Sequence, residues 1–153
     1  MYALPPVTKG LLIALAVAYL AQMLAPEIAI FYFALWPLGD HVIGTGSDGL
    51  PFSVGFLPWQ ILSYGFLHGS FGHLFFNGLA LFMFGGSLEQ TWGSRRFLAY
   101  FLICVAGAGL IQLIVVTSGI TGQRIYPTVG ASGGVYGLLL AYGMLFPNRQ
   151  IML

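Results

Sequence analysis

Five basic and four acidic residues are all the charge this chain carries, and they leave long uncharged stretches between them. Apolar runs fill residues 8–25, 71–88, 96–118 and 131–146. At about 1.5 Å per helical residue, runs of this kind approach the roughly 30 Å of a bilayer's hydrocarbon core. Lipid offers no partner to a peptide group, so an uncharged run that enters it must close its hydrogen bonds internally, as a helix does. Soluble domains are about a quarter charged; here 6% of residues are charged and 58% are hydrophobic. The expected fold is an all-α, polytopic membrane bundle with four transmembrane helices, one domain over residues 1–153.

Residues 28–36, bounded by Pro26 and Pro37, form a shorter apolar stretch that predicts an interfacial or re-entrant element. Residues 39–56 are polar and glycine-rich and contain Asp40 and Asp48, which predicts a loop outside the membrane; the external segment as a whole covers about 26–58. Trp36 and Trp59 are expected as interface anchors on that side and Trp92 on the other. An internal N-terminus puts Lys9, Arg95, Arg96 and Arg149 on the cytoplasmic side and only Arg124 outside, the arrangement the positive-inside rule selects. No small-residue cleavage site follows the first run, so it is expected to stay as an anchor. A net charge of +1 with scattered basic residues leaves no footprint for nucleic acid. The lone cysteine, Cys104, excludes an internal disulfide and is expected as a buried, inert thiol.

Against this apolar background, a few polar side chains stand out. Ser132, framed by Gly130, Gly133 and Gly134, opens the fourth run, and His73 and Asn77 lie one helical turn apart in the second. Polar groups inside a membrane are expensive and by default point to function. Taking Pro147 and Trp92 as the inner boundaries, Ser132 and Asn77 each lie fifteen residues up, or about 22 Å, some 8 Å below the outer edge of the core. A hydroxyl at a helix start gains from free backbone amides and the helix dipole, and donors at i and i+4 share one helix face. Nucleophile plus preorganised donors is the logic of acyl transfer. Taken singly, the same residues have plainer readings: Ser132 as a helix cap, His73 and Asn77 as interhelical hydrogen bonds, and Gly133 with Gly137 as a small-xxx-small packing face. Gly130-x-Ser132-x-Gly134 also matches the nucleophile elbow of soluble hydrolases, but that fold needs a parallel sheet for which this chain has no room.

Together, Gly130-Ala131-Ser132-Gly133 and His73-x-x-x-Asn77 resemble the rhomboid family of intramembrane serine proteases. Pro58-Trp59-Gln60, the stretch from Phe66 through His68 to His73, Gly85-Gly86-Ser87-Leu88-Glu89 and Trp92-Gly93-Ser94 are also similar to that family, over about residues 55–147. The resemblance implies cleavage of transmembrane segments of other membrane proteins, with Ser132 as nucleophile and His73, Asn77 and the Ser132 amide as oxyanion hole. It implies that Tyr136 packs on the catalytic histidine, the bland alternative being a core aromatic, and that His68 organises the adjoining loop or the water supply. Glu89 with Arg95 and Arg96 is read as a staple at the inner surface, Gln112 as a packing residue with a polar contact near the site as the alternative, and His41 as solvated. No metal or cofactor is implied; the partners are a substrate transmembrane helix and the lipid bilayer, in a bacterial cytoplasmic membrane. The oligomeric state and the substrate's identity are not legible.

One part of the pattern is missing. Rhomboids take their general base from a histidine on a sixth helix, and no histidine follows Ser132 here. The four runs therefore correspond to a truncated six-helix core, and the chain as written is expected to lack the family's activity. The preferred account is a piece of a longer gene product. A non-catalytic scaffold that binds membrane helices, and His73 serving as the base, are the alternatives. A transporter would need a polar stripe through the whole bundle, whereas the inner halves of the runs are almost purely apolar.

Overall fold

The computed structural model describes residues 4–46, 49–119 and 125–149. Helix α1, Pro6–Leu24, starts with proline at its first helical position, where the missing N–H costs nothing. Pro26 ends it and opens α2, Pro26–Phe33. At 8 residues, or about 12 Å, α2 is too short to cross a bilayer, in line with the interfacial or re-entrant element expected there. Trp36 departs from its expected place: only 4% exposed, it donates its indole N–H to the Ile30 carbonyl at 3.0 Å and so closes the end of α2. Trp59 is half exposed and donates to the Tyr32 carbonyl.

Within residues 39–56, of which Ser47 and Asp48 lie outside the described residues, the chain forms more than loop. Strands β1, His41–Thr45, and β2, Pro51–Val54, pair antiparallel, with His41 opposite Val54 and Thr45 opposite Pro51. Strands this short leave little alternation to read, and a register shift between Val42 and Gly44 blurs it further. The hairpin is seated by Phe52, whose ring lies 5.1 Å from that of Phe31 on α2. His41, expected as merely solvated, bonds through Nε2 to the Leu38 carbonyl at 2.9 Å.

A short helix α3, Gln60–Ser63, and a 3-10 turn, Tyr64–Phe66, lead to the second span. That span runs as α4, Phe71–Ala80, a π-turn at Leu81–Gly85, and α5, Gly86–Trp92. Helix α6, Ser94–Ser118, follows, and α7 is Ser132–Leu145. Among the described residues three helices are long and apolar enough to cross a membrane: α1, the α4–α5 unit and α6. The fourth expected span holds the shorter apolar helix α7, 14 residues long, or about 21 Å. Its approach is extended rather than helical: Thr128 and Leu35 exchange backbone hydrogen bonds at 2.9 and 3.0 Å. Gln112 on α6 donates to the Thr128 hydroxyl. Irregular backbone is tolerated at membrane depth where protein satisfies it.

Helix α6 forms the centre, burying Phe97, Phe101, Val105, Gly109 and Leu113 at every fourth position. Helix α7 packs on it through small residues, as the Gly133 and Gly137 spacing suggests: Gly133 faces Ala108 and Gly137 faces Cys104, which is half buried. Added methyl groups there would collide with α6. The opposite faces are apolar too, with Val17 on α1 and Ile103 on α6 58% and 68% exposed, the pattern expected where the surrounding solvent is lipid.

Glu89 is a staple, but not to Arg95 and Arg96, which are exposed. Its buried carboxylate accepts from the Val7 and Thr8 amides at 2.9 and 2.7 Å, the Thr8 hydroxyl at 2.8 Å and the Ser94 hydroxyl at 2.6 Å. Pro5 has no side-chain donor or acceptor with which to cap α1, so a carboxylate from α5 satisfies the orphan amides of its first turn.

Candidate active site

Ser70 caps α4, its hydroxyl accepting the His73 amide at 3.2 Å. That cap sets where the helix begins and therefore which way its first turns point. His73 projects from the first turn and Asn77 from the next, and Asn77 is buried. The loop just before the cap returns His68 to the same place. Its imidazole is wholly buried, Nε2 lies 3.1 Å from Asn77 Nδ2, and its ring meets that of His73 edge to face at 5.0 Å.

An amide nitrogen donates, so His68 Nε2 accepts and the ring proton sits on Nδ1; this tautomer follows from the bonding pattern. Nδ1 has no well-formed hydrogen bond among the described residues, although the Phe66 carbonyl favours a proton on the ring. Burial first, and then the neighbouring His73, push the His68 pKa down to about 4. The imidazole is neutral near pH 7 and accepts from Asn77 without competing charge.

The second half of the site comes from the chain leading into α7. Gly130 donates its N–H to the Tyr64 carbonyl at 2.9 Å and adopts φ of 127°, a conformation that side chains rarely take. The His73 ring lies directly on it, and a methyl group at this position would stand 2.8 Å from Nε2. Glycine is thus required twice over, by backbone angle and by contact. Two residues later Ser132 begins α7, half buried, on a turn whose first amides have no intrahelical acceptor.

His68, His73, Asn77 and Gly130 therefore form one connected group beside the Ser132 helix start. Gly133 lies against α6 instead, where its role is packing. Tyr136 is not a core aromatic among the described residues: it is 72% exposed on α7. Gln22 on α1 was not legible as part of this group. It bonds both the amide and the carbonyl of His68, at 3.0 and 2.8 Å; a lone amide side chain inside an apolar run was its only signal.

A family model described as the Rhomboid domain matches residues 56–153. The chain is 37% identical over 95 residues to the putative rhomboid protease YdcA of Bacillus subtilis, covering 61% of this chain and 45% of that protein. It is 30% identical over 121 residues to the rhomboid protease GlpG of Haemophilus influenzae, covering 79% and 53% respectively. A GlpG homologue of Cronobacter sakazakii is 29% identical over 147 residues, covering 95% of this chain and 45% of its own length. The chain thus spans about half the length of these three relatives. With its apolar helices and this match, it is a polytopic helical membrane protein that belongs to the rhomboid family.

Proposed function

We propose that this chain carries the nucleophile and oxyanion half of an intramembrane serine endopeptidase acting on transmembrane segments of other membrane proteins. Ser132 Oγ attacks the scissile carbonyl and passes its proton to a base; the peptide C–N bond then breaks and the amine leaves with that proton. Water hydrolyses the resulting acyl-enzyme. The base is a histidine, as the rhomboid resemblance implies. His73, Asn77 and the Ser132 amide donate to the oxyanion, aided by the positive end of α7. His68 and Gly130 support them: His68 by bonding Asn77, and Gly130 by giving the His73 ring its seat.

The observation that carries this reading is the contact of the His73 ring with Gly130, two residues before Ser132, with Asn77 one turn further along the same helix. Substrate helices must unwind locally to expose a carbonyl, so helix-weakening residues near the scissile bond are favoured. The distribution of basic residues supports an internal N-terminus in the proposed bacterial cytoplasmic membrane.

The test is Ser132→Ala in the full-length protein in lipid vesicles with a membrane-anchored substrate. Cleavage is expected to vanish while substrate binding persists. Undiminished cleavage by that variant would overturn the assignment. Asn77→Ala is expected to lower kcat by about a hundredfold with little change in binding, as for loss of an oxyanion donor.

A further inference from the structure

We infer that Gln22 is a positioning residue of this site, holding the His68 main chain from the first span and, through His68, the Asn77 carboxamide; the inference rests on the function proposed above. His68 lies in the short link between the Tyr64–Phe66 turn and the Ser70 cap of α4. The amide before it is satisfied locally, the Leu67 N–H donating to the Tyr64 carbonyl. The His68 amide and carbonyl have neither ladder nor helix, and buried backbone groups must be paired. Gln22 pairs both, accepting the His68 N–H at Oε1 (3.0 Å) and donating from Nε2 to the His68 carbonyl (2.8 Å), across 46 residues of sequence.

Two bonds from one planar amide fix orientation as well as position, which a single hydroxyl would not do. Around Gln22, Ala18, Ala21, Ile28 and Phe66 line a mostly apolar crevice of about 320 Å³, whose other polar side chain, Ser63, is bonded to the Phe33 carbonyl. In such surroundings the two bonds are strong, and nothing nearby replaces them. The restraint passes onward without slack. The wholly buried His68 ring bonds Asn77 at 3.1 Å and abuts the His73 ring at 5.0 Å. A shift of His68 therefore moves the Asn77 donor that is bonded to it.

The experiment is a double-mutant cycle in the full-length protein, reconstituted in lipid vesicles with a fluorogenic transmembrane substrate. Gln22→Met keeps length and removes both bonds. It is expected to lower kcat about tenfold, part of the hundredfold that small misplacements can cost, and to leave KM nearly unchanged. In an Asn77→Ala background the same change is expected to cost less than about twofold, since the donor it steadies is gone. Equal losses in both backgrounds mean general structural support and overturn the inference, as does a wild-type kcat in Gln22→Met. If Gln22→Met does not fold, Gln22→Glu, which keeps an acceptor for the His68 amide, enters the same cycle under the same criteria. The reading of Ser132 fails separately, through a Ser132→Ala variant that still cleaves. Asn77→Ala at the wild-type rate would remove Asn77 from both proposals.

Discussion

Truncating Glu89 to alanine removes the acceptor of four hydrogen bonds at once: two from backbone amides of α1, one from Thr8 Oγ1 and one from Ser94 Oγ. The two hydroxyls can turn to nearby carbonyls, as Ser and Thr on helices do. The Val7 and Thr8 amides cannot, because they are the first-turn donors of α1 and Pro5 supplies no side-chain cap. Each stranded donor costs about 1–3 kcal/mol. The variant regains some free energy by no longer burying a carboxylate that is 2% exposed. The balance is a loss of about 3 kcal/mol, close to the range for breaking a buried charge interaction by removing one partner. Glu89→Gln keeps the shape and one oxygen but turns an NH2 towards donors, and is expected to cost about 2 kcal/mol. Equilibrium unfolding in mixed detergent micelles, followed by tryptophan fluorescence, measures both. Because all four bonds meet at one carboxylate, Thr8→Val is expected to cost little further once Glu89 is alanine. A Glu89→Ala variant within about 0.5 kcal/mol of the parent, the size of an ordinary surface change, would refute the reasoning.

Gly134→Ala places a methyl group 2.6 Å from Phe101 Cε2 and 2.8 Å from Val105 Cγ2, and is expected to destabilise by about 1–3 kcal/mol through overpacking in the same unfolding assay. Gly130→Ala forces a side chain into φ of 127° and against the His73 ring; about 2 kcal/mol of strain and a drop in cleavage larger than any rise in KM are expected from steady-state kinetics. The His68 pKa lies at about 4, below the ordinary 6.5, so the unfolded chain takes up a proton first as pH falls. The stability contributed by the neutral buried ring is therefore complete above about 6.5 and lost progressively towards about 4. Unfolding curves across that window are expected to flatten in His68→Asn, and a variant with the parent's pH slope would remove His68 as the cause.

Much of this molecule is written locally. Sparse charge and apolar runs mark α1, the second span and α6, because the cost of burying charge in lipid applies residue by residue. Pro6, Pro26 and Ser70 mark helix starts through their own backbone or side-chain chemistry. The four-residue spacing of His73 and Asn77 and the position of Ser132 at a helix start follow from the same short-range rules. What could not be read depends on partners far away in the chain. The Glu89 cap spans about 80 residues and the Gln22 clamp 46, and neither leaves a periodic trace. Trp36 looks like any interface aromatic until α2 supplies the Ile30 carbonyl beside it. The two short strands alternate too little to announce a hairpin without Phe31 to seat Phe52. Local chemistry thus places polar groups along each helix, whereas which of them meet is settled by how the helices pack, since a hydrogen bond is made only when both ends arrive together.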